Sequence, residues 1–214
     1  MLQLTNKKLT VLALLCAMAY LVMVIIKIPV VLFLSYEPKD VIITLGGFLY
    51  GPWACVLISA VVSLLEMFTV SATGIIGLIM NILASCSFAC TAAVIYRRWP
   101  SWRGAAAGLF SGTLCLSLTM LIWNYIFLPI FLHFPRTEVA KLLFPAILPF
   151  NLLKGALNSA LILMLYRHML TALKNYGLLT SNKQAANNTK ALLALSALLF
   201  ITCILVLLSW RQII

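Results

Sequence analysis

Long apolar stretches, most of them without a single charge, constrain this chain more than any other feature. A stretch of about 20 apolar residues is long enough for a helix to cross the hydrocarbon core of a bilayer. Only 9% of the 214 residues are charged, whereas about a quarter is usual for a soluble protein. The sequence therefore predicts an all-α integral membrane protein. Its clear spans run from about Leu9 to Ile26, Ile75 to Tyr96, Gly104 to Leu132, Leu143 to Tyr166 and Ala191 to Ser209.

The segment from Val41 to Phe68 could cross the membrane once or twice, because Gly46-Gly47 and Gly51-Pro52 interrupt it. The distribution of basic residues separates these alternatives. Two crossings with a turn at Gly51-Pro52 place the basic loop Arg97–Arg103 on the same side as Lys7-Lys8. The positive-inside rule favours this arrangement. We therefore predict six helices within residues 1–173, in the cell membrane, with a cytoplasmic N-terminus.

A short helix from Val41 to Tyr50 would rise only about 15 Å, which is half of a hydrocarbon core of about 30 Å. The segment before it must therefore dip into the membrane, although the predicted topology assigns its charged residues to the outer side. Non-helical backbone at that depth is tolerated where protein buries it or where it lines a cavity. We predict that Val31–Lys39, which contains Tyr36 and Pro38, covers a binding site. The charged residues concerned are Glu37, Lys39 and Asp40.

The C-terminal part of the chain differs in composition from the rest. Residues 174–190 are polar and predict a flexible linker. Residues 191–214 contain the last apolar span and predict an additional, seventh transmembrane helix that places the C-terminus outside. The predicted organisation is a membrane-embedded substrate-binding domain in residues 1–173, followed by the linker and one further helix.

The charge and motif content of the chain excludes several functional classes. The net charge of +11 is explained by basic residues that flank apolar spans, so nucleic-acid binding is not expected. The six cysteines lie inside apolar runs without metal-ligand spacing, so we predict no metal site. The two histidines, His133 and His168, fall on opposite sides of the predicted topology, which argues against a membrane enzyme and leaves no catalytic residue. The sequence has no G-x-x-x-x-G-K-[ST] motif, so the chain does not itself use ATP.

Six polar or ionisable residues near the predicted spans require an explanation, because such side chains normally face a cavity or a partner. The predicted topology places all of them at a similar depth, which indicates one outward-facing pocket. The alternative for any one of them is an interhelical hydrogen bond. Glu66 is either a ligand contact or the ion-pair partner of Lys154, and Asn158 is more simply structural. The six are Glu66, Asn81, Asn124, Tyr125, Asn151 and Lys154.

The chemistry of these side chains suits a flat heterocycle with polar edges. Amides offer a donor and an acceptor together, which matches alternating carbonyl and N–H groups, and Lys154 can donate to a carbonyl or ring nitrogen. Aromatic and methionine side chains nearby can pack on such a ring, or they can be ordinary packing residues. They are Met67, Phe68, Met80, Trp123, Tyr125 and Phe150.

The chain also carries motifs that resemble those of the riboflavin-specific substrate-binding (S) components of energy-coupling factor (ECF) transporters. The resemblance covers roughly Lys8 to Leu173, with the motifs in the same order. They are Tyr36-Glu37-Pro38-Lys39-Asp40-Val41, Gly46-Gly47-Phe48 with Gly51-Pro52, Glu66-Met67-Phe68-Thr69-Val70-Ser71 with Thr73-Gly74, Met80-Asn81, Asn124-Tyr125 and Leu148-Pro149-Phe150-Asn151-Leu152-Leu153-Lys154-Gly155.

The resemblance implies a fold, a ligand and partners. Members of the family are six-helix membrane proteins that bind a vitamin from outside. They deliver it through a shared transmembrane subunit and two ATPase subunits, so ATP binds only to the partners. For this chain the resemblance implies riboflavin as the transported ligand, with Asn124, Asn151 and Lys154 on the isoalloxazine ring and the loop Val31–Lys39 above it.

The first predicted helix contains a pattern that resembles the family's docking face for the transmembrane subunit. The pattern is formed by Ala13 and Ala17, because small residues four apart allow close helix approach. The seventh span, Ala191–Ser209, departs from the six-helix pattern of the family. Two other functions remain open from the sequence. One is an S component for a different heterocyclic vitamin, and the other is a secondary transporter, although the paired broken helices typical of that class are not evident.

Overall fold

The computed structural model describes residues 6–31, 34–71, 73–132, 135–175, 197 and 200–203. This part of the chain is a helical bundle with one short β-hairpin, and the predicted all-α membrane fold is confirmed. Its helices are α1 (Asn6–Ile25), α2 (Lys39–Tyr50), α3 (Pro52–Thr69), α4 (Gly74–Arg98), α5 (Trp102–Leu132), α6 (Arg136–Leu142) and α7 (Leu148–Asn175).

Five helical stretches within the described residues are long and apolar enough to cross a membrane. Helix α2 is not among them, because its 12 residues rise only about 18 Å. This agrees with the prediction that the second helix does not cross the hydrocarbon core unaided. The five stretches are Lys8–Ile25, Pro52–Thr69, Gly74–Arg98, Trp102–Ile130 and Arg136–Tyr166.

Helices α2 and α3 form a helical hairpin that turns at Gly51. Gly51 has a φ of 90° and a ψ of 177°, a conformation that residues with a side chain rarely adopt. Pro52 then opens α3, where its missing N–H costs no helical hydrogen bond. The two helices approach closely, because a side chain at Gly47 would clash with Sγ of Cys55. The prediction of two helices instead of one kinked span is therefore confirmed.

Contacts at the helix ends show which loops share a side of the bundle. Nη1 of Arg97 lies 3.6 Å from the position that a Cβ on Gly51 would occupy, so the α2–α3 turn lies beside the end of α4. At the opposite end, the hydroxyl of Tyr20 donates to Oγ1 of Thr69 at 2.9 Å. Helix α1 therefore begins, with Lys8, at the same end as Arg97. This relative arrangement is the one that two crossings require.

Helices α4 and α5 pack together through small residues. A Cβ on Gly108 would lie 2.8 Å from the carbonyl oxygen of Ala92, and a Cβ on Gly112 would lie 2.6 Å from that of Phe88. These backbones approach so closely that a side chain at either glycine would force them apart. The start of α2 is inserted beside this pair and also contacts α7.

The segment between α1 and α2 is an antiparallel β-hairpin of strands β1 (Ile28–Val31) and β2 (Leu34–Tyr36). Ile28 lies opposite Tyr36 in the register. The predicted covering segment Val31–Lys39 thus contains the second strand, and its last residue begins α2. Its non-helical backbone is stabilised by the ladder, which pairs N–H and C=O groups of the two strands.

A π-helical turn, Leu143–Ile147, joins α6 to α7. Pro145 lies in this turn and Pro149 follows it, and each lacks the N–H that a regular helical hydrogen bond requires. The predicted span Leu143–Tyr166 thus starts in this turn, and α7 continues to Asn175. The rest of the predicted linker, from residue 176, lies outside the described residues. The predicted seventh span, Ala191–Ser209, also lies outside them apart from residues 197 and 200–203.

Candidate ligand-binding site

Five charged side chains are buried together where the start of α2 meets α3 and α7. None of them is more than 8% exposed. A buried charge is costly unless an opposite charge or several hydrogen bonds accompany it. Each of the five has such a partner, as described below, and we call them the buried charge cluster. They are Glu37, Lys39, Asp40, Glu66 and Lys154.

Lys39 links the hairpin segment to α3. Its Nζ lies 2.9 Å from Oε2 of Glu37 and also donates to Oε2 of Glu66. On the outer side of this group, Nζ of the partly exposed Lys27 lies 3.3 Å from Oε1 of Glu37. Burial alone would raise the pKa of Glu37, but Lys39, Lys154 and Lys27 together lower it below its ordinary value. Glu37 is therefore ionised at neutral pH, and three lysines balance three carboxylates in and around the cluster.

Asp40 links α2 to α4 and α7. Its Oδ1 accepts a hydrogen bond from Oγ of Ser85 at 2.5 Å. Its Oδ2 lies 3.2 Å from Nζ of Lys154 and accepts from Nδ2 of Asn158 at 3.4 Å. Asp40 lies in the first turn of α2, where the helix dipole favours a negative charge. The carboxylate is thus satisfied in a site from which bulk water is excluded.

The ion pair between Glu66 and Lys154, one of two alternatives from the sequence, does not form. Glu66 pairs with Lys39 and Lys154 pairs with Asp40. The reason is that the start of α2 lies between α3 and α7 and offers each of them an opposite charge. Glu37, Lys39 and Asp40, which the predicted topology assigns to the outer side, are all buried within the protein.

Sequence reasoning therefore missed Lys39 and Asp40 as members of the site. A signal was present, because two opposite charges directly precede the apolar run of α2. Glu66 and Lys154, inside predicted spans, each require a partner of opposite charge. Matching the adjacent pair to these two would have predicted the cluster.

Tyr36 connects the hairpin to α7. Its hydroxyl donates to Oδ1 of Asn158 at 3.0 Å, and its ring is buried against Leu157 and Cys203. Burial, with the nearby Asp40 and Cys203, raises the pKa of Tyr36, so the phenol is protonated and acts as a donor. Asn158, interpreted from the sequence as structural, thus joins the hairpin to the buried charge cluster.

Two asparagines expected at the ligand are buried on neighbouring helices. Nδ2 of Asn151 donates to the carbonyl oxygen of Ile147 at 2.8 Å, one turn before Lys154 on α7. Nδ2 of Asn124 donates to the carbonyl oxygen of Met120 at 2.7 Å within α5. These bonds to their own helices fix the rotamers of both amides.

Asn124 also lines a pocket between the start of α4 and the end of α5. One wall is formed by the stacked rings of Trp123 and Phe127, whose centroids are 3.9 Å apart. The opposite wall carries Met80 and the small Gly77. A mainly apolar pocket with one amide matches the chemistry expected for a flat ring. Its lining residues are Thr73, Ile76, Gly77, Met80, Trp123, Asn124, Phe127 and Leu128.

The remaining sequence-predicted residues lie at different places. Asn81 is half-buried on α4, next to Met80 of the pocket. Tyr125 is 45% exposed on α5 and does not join the cluster. On α1, Ala13 and Ala17 are both exposed on the surface of the bundle.

The chain matches a known family. The family model for the substrate-specific component of ECF transporters matches residues 7–166 of the chain. The chain is an ECF transporter S component. It is therefore a multi-pass membrane protein and a transport subunit, not an enzyme.

The S component is similar to curated riboflavin transporters. It is 31% identical to the riboflavin transporter RibU of Staphylococcus aureus (strain TCH60), over 79% of this chain and 93% of that protein. It is 30% identical to the riboflavin transporter FmnP of Bacillus subtilis (strain 168), over 70% of this chain and 84% of that protein.

A solved structure shares its fold. The chain in "Structure and mechanism of the S component of a bacterial ECF transporter" aligns with a TM-score of 0.67 and 30% identity. The alignment covers 79% of this S component and 98% of that chain.

Proposed function

We propose that this S component is the high-affinity riboflavin-binding subunit of an ATP-driven vitamin uptake transporter. The observation that carries the proposal is its identity of about a third, over most of their length, to two proteins named riboflavin transporters. The buried amides on α5 and α7 and the buried lysine on α7 support it. Together they can serve the alternating donor and acceptor groups of an isoalloxazine ring.

In this proposal Asn124, Asn151 and Lys154 hydrogen-bond the ring of riboflavin. Tyr36 belongs to the segment that covers the ligand, and its bond to Asn158 supports this role by holding the hairpin over α7. Asn81 is a candidate contact at the edge of the pocket. Glu66 and Tyr125 are further candidate contacts, although Glu66 pairs with Lys39 and Tyr125 is exposed.

A titration of the detergent-purified protein with riboflavin tests the ligand. Flavin fluorescence is quenched when the ring stacks on aromatic side chains, so binding is read directly. We expect a saturable one-to-one quench, and a yellow protein if the vitamin is retained during purification. The absence of a quench, together with saturable binding of another heterocyclic vitamin that excess riboflavin does not displace, would contradict the proposed ligand. That result would favour an S component of different specificity.

We further propose that the S component assembles with an ECF transmembrane subunit and two ATPase subunits, which alone bind ATP. Family membership supports this, and so does the exposure of Ala13 and Ala17 on α1. Both residues lie on one face because they are a turn apart, and neither is covered by the bundle. Such a face allows close approach of a partner helix.

The proposed orientation places the N-terminus in the cytoplasm of a cell whose plasma membrane holds the protein. Support comes from the basic residues at the end of the bundle where α1 begins, which include Lys8, Arg97, Arg98 and Arg103. In this orientation the hairpin and the buried charge cluster lie toward the outside. Riboflavin then enters from the outer side.

A further inference from the structure

Asp40 is a buried carboxylate with three polar partners on two helices. Ser85 of α4 donates to one oxygen at 2.5 Å, while Lys154 and Asn158 of α7 lie 3.2 Å and 3.4 Å from the other. Asp40 is not among the residues expected to touch riboflavin. We propose that Asp40 is the positioning residue for Lys154, which it holds in the orientation required to donate to the ligand. The inference rests on the proposed function, because it assumes that Lys154 contacts riboflavin.

The orientation of the Asp40 carboxylate is fixed independently of Lys154. Ser85 and Asn158 bond to different oxygens from different helices, which sets the plane of the carboxylate. The residue has 0% exposure, so water does not compete for these bonds.

Lys154, by contrast, needs an external constraint. A lysine has a flexible four-carbon stem and three N–H donors. The contact with Asp40 engages one donor and leaves two for an acceptor on the ligand. Ordering the stem before the ligand arrives removes an entropic cost from the binding step. Asp40 thus raises affinity without touching the vitamin.

The same contacts extend to the hairpin. Tyr36 donates to Oδ1 of Asn158, while Nδ2 of Asn158 donates to Asp40. The hairpin and Lys154 therefore share Asp40 and Asn158 as a common support. Loss of the Tyr36 hydroxyl is expected to weaken binding less than loss of the Asp40 carboxylate, because Tyr36 lies two contacts further from Lys154 than Asp40 does.

Asp40 could alternatively do no more than neutralise the buried charge of Lys154. The variant Asp40→Glu separates these roles, because it keeps the charge and moves the carboxylate by one methylene. If Asp40 positions Lys154, Asp40→Glu should lower riboflavin affinity about tenfold, because the longer side chain displaces the ammonium of Lys154 from its required place. Neutralisation predicts affinity equal to that of the wild type, which would overturn the proposal.

A double-mutant cycle gives the second test. We expect Asp40→Asn to weaken riboflavin binding about tenfold in the wild-type background. In a Lys154→Met background it should weaken binding no further, because the residue through which it acts is gone. Asn124→Ala is the matched control. When Asp40→Asn is combined with it, the fold-losses of riboflavin affinity from the two substitutions should multiply, because Asn124 makes none of these contacts.

A failure of the inference about Asp40 can be told apart from a failure of the proposed function. If Asp40→Asn reduces affinity in the Lys154→Met background by its full wild-type factor, Asp40 does not act through Lys154 and the inference is overturned. If the wild type does not bind riboflavin at all, the proposed function fails instead. If Asp40→Asn alone does not fold, the double variant Asp40→Asn with Lys154→Met still has no unpaired buried charge. Its riboflavin affinity, compared with that of Lys154→Met, then tests whether Asp40 acts through Lys154.

Discussion

Lys39 and Asp40 are adjacent in the sequence, yet they pair with helices on different sides of α2: Lys39 with Glu66 of α3 and Asp40 with Lys154 of α7. Successive residues of a helix point about 100° apart, so one turn of α2 can satisfy a carboxylate and an ammonium at once. The rotation and depth of α2 are thereby specified. A shift of one residue in either direction would bring Lys39 beside Lys154 or Asp40 beside Glu66, and so place like charges together.

The proposed ligand contacts on α7 are expected to matter for riboflavin affinity. Lys154→Ala and Asn151→Ala each remove a donor or acceptor from a dry site, which should cost about 1–3 kcal/mol, or roughly ten- to a hundredfold in riboflavin affinity. Fluorescence-quenching titration in detergent measures the change. Leu118→Ala serves as a control at an exposed position of α5, with little effect expected. Unchanged affinity in both α7 variants would leave them as structural residues.

The docking face on α1 should be separable from ligand binding. Ala13→Trp with Ala17→Trp places two large rings on a face that the bundle leaves exposed, so a partner helix cannot approach. We expect normal riboflavin binding by the isolated protein, failed uptake in cells and failed co-purification with the transmembrane subunit. Leu14→Trp, at an exposed residue about 100° around the same helix, is the control. Uptake at the wild-type rate in the double variant would place the docking face elsewhere.

Removing Lys39 should destabilise the protein strongly. Lys39→Met leaves Glu37 and Glu66 buried near each other without their shared counter-charge, and breaking such a group typically costs about 3–5 kcal/mol. Adding Glu66→Gln should recover part of the loss. Lys141→Met is the control, since its pair with Glu138 is exposed and should be worth no more than about 1 kcal/mol. Thermal unfolding in detergent compares them, and equal Tm values for the Lys39 and Lys141 variants would be inconsistent with a buried cluster.

The turn between α2 and α3 should tolerate only glycine. Gly51→Ala retains the small size but must adopt a φ of 90°, which costs about 1–3 kcal/mol. The expected result is a lower Tm with riboflavin affinity close to that of the wild type, because the turn lies at the end of the bundle away from the hairpin. Gly74→Ala tests the conformational origin of the effect, since it also has a positive φ of 59° with open space around it. A Tm unchanged in both variants would show that neither backbone conformation is required.

The orientation in the membrane can be tested with single cysteines in a background that lacks the native ones. A cysteine at Ser101 should resist an impermeant reagent in intact cells, whereas one at Glu138 should react. The reason is that the two positions lie at opposite ends of α5. Labelling at Ser101 with protection at Glu138 would mean that the proposed orientation is inverted.

The long helices could be predicted from the sequence because their length and apolar character are set locally. The break at Gly51-Pro52 could be predicted for the same reason. The depth to which α2 enters the bundle between α3 and α7 could not, because it is a property of tertiary packing. Tyr125 illustrates a related difficulty. In a helix that is apolar on all sides, the pattern does not indicate which side faces the protein interior.

The pairing of Asp40 with Lys154 also bears on how the protein is made. The ribosome releases α2 more than a hundred residues before α7, and synthesis at about 5–20 residues per second separates the two by several seconds. During that interval Asp40 lacks its lysine, and a carboxylate in the bilayer core is costly. The short α2 should therefore remain at the membrane surface and enter the helical bundle only when α7 has been inserted into the membrane. Insertion of this helix would then be the step that completes biogenesis of the binding site.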